Sequence, residues 1–232
     1  MKISLPVGEL EQTIHAQIRS FDSNVDATAL RKAGTEALER VEYCFERIRI
    51  GGYRDASGAT FNHLHGDQSA TFLYFLAHSA YATLGDTRLA SQAFVLNKMR
   101  NAIVVMYDTV LPRVFLLNHT VGTVLGKATY GEYFVAYQNA TVGTDRGIRP
   151  VLGTGVVMYG GSTIVGRCTI GDRTAIAVNA TVVATDVPAD TVVSGQHPAV
   201  AFHPRKRDFL GHYFMLASAE EDDNAARKPP RS

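Results

Sequence analysis

The sequence predicts an α+β chain: an α-helical N-terminal region followed by a parallel β-helix that carries one short extruded loop. Three observations predict it. The first is a hexad rhythm over residues 152–187, LGTGVV MYGGST IVGRCT IGDRTA IAVNAT VVATDV. Its first column is Leu152, Met158, Ile164, Ile170, Ile176 and Val182, all large and aliphatic. Its fifth column is Val156, Ser162, Cys168, Thr174, Ala180 and Asp186, small in all but the last. A helix does not repeat every six residues, and a simple strand repeats every two. A chain that turns a corner every six residues does, and three such repeats close a triangular coil whose core is shared with the next. The second observation is a surplus. An earlier, less regular phase runs Val124, Tyr130, Ala136, Val142, and the step from Val142 to Leu152 exceeds a hexad by four residues. That surplus, within GTDRGIRP, must leave the coil as a loop. The third is that apolar residues before about residue 107 recur at steps of three and four, the helical period.

The elements follow in order. Asp26 is placed to cap a helix whose apolar face is Leu30, Ala33, Ala37, Val41, Cys44 and Ile48, with Gly51 and Gly52 as its stop. The stretch GYRDASGATFNHLHGD reads as loop. A second helix starts near Asp67 or Ser69 and carries Phe72, Leu73, Leu76 and Ala80. Leu84-Gly85-Asp86 is a stop followed by a new cap. A third helix shows Leu89, Ala93, Leu96, Met99 or Arg100, Ile103 and Met106. Near Asp108 the composition turns to Val, Thr, Tyr and Gly. After Val187, Pro188 breaks the phase, and PADTVVSGQHPAVAFHPRKRD is expected to leave the coils. Residues 209–216 read as a last strand or short helix, and ASAEEDDNAARKPPRS as a polar tail expected to be disordered or loosely docked. The organisation is therefore residues 1–107 helical, 108–203 β-helix, and 204–232 basic turn and tail.

The bulk properties narrow the function. The 232 residues carry 23 Lys and Arg against 22 Asp and Glu, a formal net charge of +1. That balance speaks against nucleic acid or a polybasic membrane surface as partner. Cys44 and Cys168 lie far apart and form no CxxC, which fits a reducing compartment or simple indifference to redox rather than a disulfide framework. The first residues, MKISLPVGELEQT, turn polar too early for a secretory signal, and no apolar run approaches a membrane span. A cytoplasmic protein is expected. Cys168 falls in the small inward column and Cys44 on a helix face, so both read as core. His63 and His65 make an HxH pair with no third ligand at a readable spacing. A metal-dependent β-helix hydratase would need three coil histidines, and only His119 lies in the repeats.

The remaining motifs carry a resemblance. Leu117-Asn118-His119-Thr120-Val121-Gly122-Thr123-Val124-Leu125-Gly126 resembles the L-D-H-x-x-G-x-V-I-G motif of the serine acetyltransferases, members of the hexapeptide-repeat acyltransferases. Residues 144–152 resemble that family's G-D-R-H-P-x-I loop. Gly195-Gln196-His197-Pro198-Ala199 resembles its closing G-x-P-A with one extra residue. The resemblance covers roughly residues 67–200 and implies a left-handed parallel β-helix. It also implies transfer of an acetyl group from acetyl-CoA, as cosubstrate, to a hydroxyl, with L-serine as first acceptor. No metal is called for. Direct acyl transfer needs a base, a group that orients the base, and donors for the oxyanion. The resemblance puts the base at His119. The nearest upstream acid for the orienting role is Asp108, which otherwise reads as a turn residue.

The resemblance further implies acceptor binding by Asp67, Asn118, Arg146 and Arg149. Asp67 reads equally well as a helix N-cap. Two positions depart from the family: Asn118 stands where it has aspartate, and Arg149 precedes Pro150 where it has histidine. Both leave a sugar or secondary-metabolite hydroxyl open as acceptor. Tyr137, Gln138 and Asn139, in the coil before the loop, are further positions that can face the acceptor. For CoA, the resemblance implies the groove between adjacent β-helices of a homotrimer, with pairing into a dimer of trimers left open. Gly160, Gly161 and the small residues from Ala177 to Ala180 suit a close backbone approach. Lys206, flanked by Arg205 and Arg207, is placed to meet phosphates, or is a solvated basic turn. A reading from another class is a non-catalytic scaffold that binds a partner through its helical region.

Overall fold

The computed structural model describes residues 1–216. The polar tail from residue 217 onward lies outside the described residues. The helical region opens with β1 (Lys2–Ile3) and α1 (Val7–Arg19), then α2 (Ala27–Phe45). It continues through β2 (Arg54–Asp55), β3 (Gly58–Phe61), α3 (Gly66–Ala82) and α4 (Thr87–Asn101). Asp26 caps α2, its Oδ1 accepting from the backbone N–H of Thr28 and Ala29, and Asp86 caps α4 through Leu89 N–H. α3 is buried along most of its length, as befits a helix with neighbours on several sides. Its Tyr74 hydroxyl donates to Thr109 O at 3.0 Å and accepts from Leu111 N–H at 2.8 Å. The Tyr74 and Phe75 rings pack on Phe115, so α3 joins the helical region to the first coil.

Among the described residues, fifteen elements follow at short intervals. They are β4 (Val104–Val105), β5 (Phe115–Asn118), β6 (Val124–Leu125), β7 (Thr129–Tyr130) and β8 (Phe134–Tyr137). Next come β9 (Thr141–Gly143), β10 (Val151–Leu152), β11 (Val157–Met158), β12 (Thr163–Val165) and β13 (Thr169–Ile170). The described residues end with β14 (Ala175–Ile176), β15 (Thr181–Val183), β16 (Thr191–Gln196), β17 (Ala199–Pro204) and α5 (Leu210–Tyr213). Strands of successive coils pair in parallel on three faces, a solenoid of about five turns. The first face stacks β4, β6, β9, β12 and β15; the second β5, β8, β11, β14 and β16; the third β7, β10 and β13. The first hexad column stacks in register, as in Met158 on Ile176 and Ile164 on Val182, with every side chain buried.

The extruded loop is where the surplus required it. The coil step from Val142 to Ile164 exceeds that from Ile164 to Val182 by four residues. The extra length forms a hairpin in which Asp145 and Ile148 exchange backbone hydrogen bonds at 3.1 and 2.8 Å. Arg146 (φ 48°) and Gly147 (φ 82°) supply the two left-handed residues that such a two-residue turn requires.

Several expectations are corrected. In the early hexad phase the inward residue is Leu125, paired with Val142, and Val124 is only half-buried. That corner takes five residues from Leu125 to Tyr130, so the count of six slips by one. α2 ends at Phe45, well before Gly51, because Ile48 instead bridges to Phe214 near the C-terminus. α4 ends at Asn101 with Ala102 left-handed, so Ile103 and Met106 lie beyond it, and Met99 is exposed. GYRDASGATF is not loop throughout: β2 and β3 form a hairpin to which β1 adds in parallel. Of the segment after Pro188, β16 stays with the coils, since Val192 and Val193 pair with Ala175 and Ile176, whereas β17 leaves them and turns back antiparallel on β16. Pro188 occupies a corner, where no ladder hydrogen bond is lost.

Two stability predictions arise here. The Ser162 hydroxyl is buried and finds no partner among the described residues. Replacing it by alanine removes a desolvated polar group while keeping the small inward volume. Ser162→Ala is expected to be neutral or to stabilise by about 1 kcal/mol, read by denaturant unfolding. The second concerns Asp190, whose carboxyl hydrogen bonds from Arg173 and then Arg205 hold down to about 2. An unfolded carboxyl titrates near about 4. The contribution is thus complete above about pH 4 and is lost as pH falls toward about 2. The gap in melting temperature between wild type and Asp190→Asn is expected to be full at neutral pH and to close across that window.

Candidate active site

His119 ends the second face of the first coil, at the corner where the chain turns toward β6. Its backbone is left-handed (φ 57°), which a non-glycine residue adopts only when its surroundings fix it. The fixing groups come from the helical region. Tyr53 Oη donates to Leu117 O at 3.4 Å, and Asp67 Oδ1 accepts from Thr120 N–H at 3.2 Å. Thr120 Oγ1 in turn donates to Asn101 O at 2.9 Å. The corner is therefore clamped on both sides of His119, while the imidazole itself is exposed. Its ring stands edge-on to Tyr137, centroids 6.5 Å apart.

Below His119 the same corner repeats in successive coils and forms a groove. Its walls are Tyr137, Gln138, Asn139, Tyr159, Gly160, Gly161, Val178 and Asn179, enclosing about 370 Å³. Asn139, Gly161 and Asn179 are all left-handed, so backbone amides stack in line: Gly161 N–H donates to Gln138 O and Asn179 N–H to Gly160 O, both at 3.0 Å. A Cβ at Gly160 would stand 2.8 Å from Gln138 Nε2, so a larger residue there would push the Gln138 amide aside. Gln138 Oε1 is buried and has no partner among the described residues. Ala177 borders this corner, half-buried, whereas the Ala180 side chain points into the core, so only its backbone is available to a ligand.

One wall is aromatic and partly borrowed. Residues after β17 fold back across the second face: Arg49 N–H donates to Tyr213 O and Met215 N–H to Arg47 O, both at 2.8 Å. This strap places Tyr213 Oη 2.8 Å from Tyr137 Oη and 3.5 Å from Tyr159 Oη, with Phe209 edge-on to Tyr159. Burial, together with its hydroxyl hydrogen bonds to Tyr137 and Tyr159, pushes the Tyr213 hydroxyl well above the ordinary tyrosine value.

The other expected residues lie elsewhere. Asp108 does not meet His119; its Oδ2 pairs with Lys127 Nζ at 2.6 Å, and its Oδ1 is buried without a partner among the described residues. Asn118 is half-buried beside His119, and Asp67 reaches the same corner through Thr120. Arg146 and Arg149 are exposed on the extruded loop, which leaves the prism between the first and third faces. The His119 corner lies between the second and first, so one chain does not bring them together. Lys206 and Arg207 are exposed, while Arg205 is committed to Asp190. His63 Nδ1 bonds Ser4 Oγ, His65 lies against Tyr53, and among the described residues no three His, Cys, Asp or Glu converge on a metal position. No helix among the described residues is long and apolar enough to cross a membrane.

Sequence reasoning did not anticipate Tyr53, Tyr159, Phe209 and Tyr213. Tyr159 was reachable, because it lies one long coil step after Tyr137 on the same corner. Tyr213 had no local signal.

No family model and no curated protein sequence matches the chain. Solved structures do. Serine acetyltransferase from Neisseria gonorrhoeae superposes with a TM-score of 0.67 at 20% identity, covering 94% of this chain and 84% of that one. The enzyme from Vibrio cholerae gives 0.67 at 19% identity, with 88% and 81% covered. The Brucella abortus enzyme in complex with coenzyme A gives 0.62 at 18%, with 86% and 84% covered. At these identities the likeness is one of fold.

Proposed function

We propose that this chain is an O-acetyltransferase that moves an acetyl group from acetyl-CoA to a hydroxyl of a small acceptor, with L-serine as the first candidate. The observation that carries the reading is a clamped, solvent-facing His119 at the head of a glycine-floored groove. Superposable structures are serine acetyltransferases, one of them holding coenzyme A. The groove suits a pantetheine arm: its backbone is approachable at Gly160 and Gly161. Lys206 and Arg207, exposed at the far end of the β-helix, are the groups to meet the phosphates.

In this reading His119 takes the acceptor's hydroxyl proton as its oxygen attacks the thioester carbonyl carbon. The C=O electron pair moves to oxygen; its return breaks the C–S bond, and the imidazolium returns the proton to the sulfur. The products are the acetyl ester and free CoA, with no covalent enzyme intermediate. Asp108 is engaged by Lys127, and Tyr53 and Asp67 fix the backbone on either side of His119, which sets where its side chain leaves the coil. Asp67 is the acid nearest the site for an acceptor ammonium. Arg146 and Arg149 serve only if a second copy lends its loop. Ile148 and Val151 at the loop corner and Val178 at the groove corner are each exposed, so a homotrimer would set one chain's loop against the next chain's groove. Asn118, neutral where an ammonium-binding acid is expected, favours a sugar or other neutral alcohol as the alternative acceptor.

The test is calorimetric titration with CoA, followed by thiol release from acetyl-CoA across a panel of L-serine, sugars and simple alcohols. Saturable binding and acceptor-dependent thiol release are expected. A chain that binds no CoA is a scaffold, and this reading is then wrong.

A further inference from the structure

We infer that Tyr137 is the oxyanion donor of this site and that Tyr213, carried on the C-terminal strap, with Tyr159 behind it, is the positioning residue that makes it one. The inference rests on the acetyl-transfer reading above. Tyr137 is the groove residue whose ring meets His119, so a thioester carbonyl within reach of a hydroxyl activated by His119 lies at the Tyr137 end of the groove. The three phenols form a row with Tyr213 at its centre, 2.8 Å from Tyr137 and 3.5 Å from Tyr159. Three hydroxyls bring three protons, and two links within the row use only two. One proton is always left for an acceptor outside the row. In the structure Tyr213 donates to Tyr159; a carbonyl beside Tyr137 selects the reversed arrangement, in which Tyr159 donates to Tyr213, Tyr213 donates to Tyr137, and Tyr137 donates to the carbonyl.

A donor whose own oxygen accepts a hydrogen bond is a better donor, and such chains polarise cooperatively away from water. When the acceptor oxygen attacks and the carbonyl becomes a tetrahedral oxyanion, the Tyr137 O–H bond to it strengthens without the phenol losing its proton. Tyr213 is buried, and the strap is anchored by its backbone bonds to the end of α2 and by Leu210 against Gly155. The row is therefore held in place before substrate arrives, which is what electrostatic stabilisation of a transition state requires.

A double-mutant cycle tests this, with acetyl-CoA and L-serine, or the best acceptor of the panel, and free thiol as the signal. Tyr137→Phe is expected to lower kcat about a hundredfold. Tyr213→Phe keeps the ring and the strap's backbone bonds; it is expected to lower kcat about tenfold with KM for acetyl-CoA within about twofold. In the Tyr137→Phe background it is expected to add nothing, because its effect passes through Tyr137. Tyr159→Phe, which leaves the strap untouched, is expected to show a smaller loss that also vanishes in that background. Equal losses from Tyr213→Phe in both backgrounds, or none in either, overturn the inference while acetyl transfer by the wild type keeps the function reading intact. A wild type that releases no thiol with any acceptor fails the function reading and this inference together.

Discussion

Replacing His119 by alanine is expected to lower acetyl transfer by about a thousandfold at neutral pH, within the range that a positioned general base contributes. The affinity for CoA is expected to stay within a few-fold, because the groove lies in the coils below. The substitution also alters a left-handed backbone position, where alanine is less at ease than histidine. His119→Asn separates the two effects. Asparagine tolerates the left-handed conformation and cannot act as a base, so it is expected to be as inactive as alanine with a melting temperature closer to wild type. Activity within a few-fold of wild type for either variant, in a folded protein, removes His119 from the mechanism.

The largest effect on stability is expected from Ile164→Ala. Ile164 is fully buried between Val142 and Val182 on the first face of the coil core. Truncation removes the transfer free energy of the lost carbons and leaves a cavity that the ladders above and below prevent from collapsing. A loss of about 3–5 kcal/mol is expected. In a chain of this size each kcal/mol moves the melting temperature by roughly 2–4 °C, so a fall of order 10 °C is the readout. A change under about 2 °C would mean that the hexad column does not carry the core.

How far the sequence could be read follows from the kind of signal each element leaves. The hexad columns were legible because each coil repeats its neighbour, so a single inward position is stated six times over. The extruded loop was legible as a surplus of four residues in that count. Leu125 was missed because one corner is a residue short, and a periodic count has no way to detect a single slip. The β2–β3 hairpin was missed because its strands are too short to show alternation. Ile48 sits at a helical spacing yet pairs with Phe214, a contact between segments far apart in sequence.

The same limit applied to the site. His119 was singled out through a local motif, and Gly160 and Gly161 through the small residues of the repeat. Tyr213 reaches Tyr137 only because the chain crosses back over the second face, and the HPRKR cluster before it drew attention to charge instead. Asp108 was chosen by its place in sequence, whereas Lys127, in the next coil, decides what its carboxylate faces.

The central claim is that His119 and the groove beneath it transfer acetyl from acetyl-CoA to a hydroxyl. The most direct measurement incubates the full chain with acetyl-CoA and L-serine, then with the sugar and alcohol panel, and quantifies free thiol and acetylated acceptor by mass in the same reaction. The account predicts equal amounts of the two in wild type, and neither above background in His119→Ala. Thiol release without acetylated acceptor, or equal turnover by wild type and His119→Ala, would contradict it.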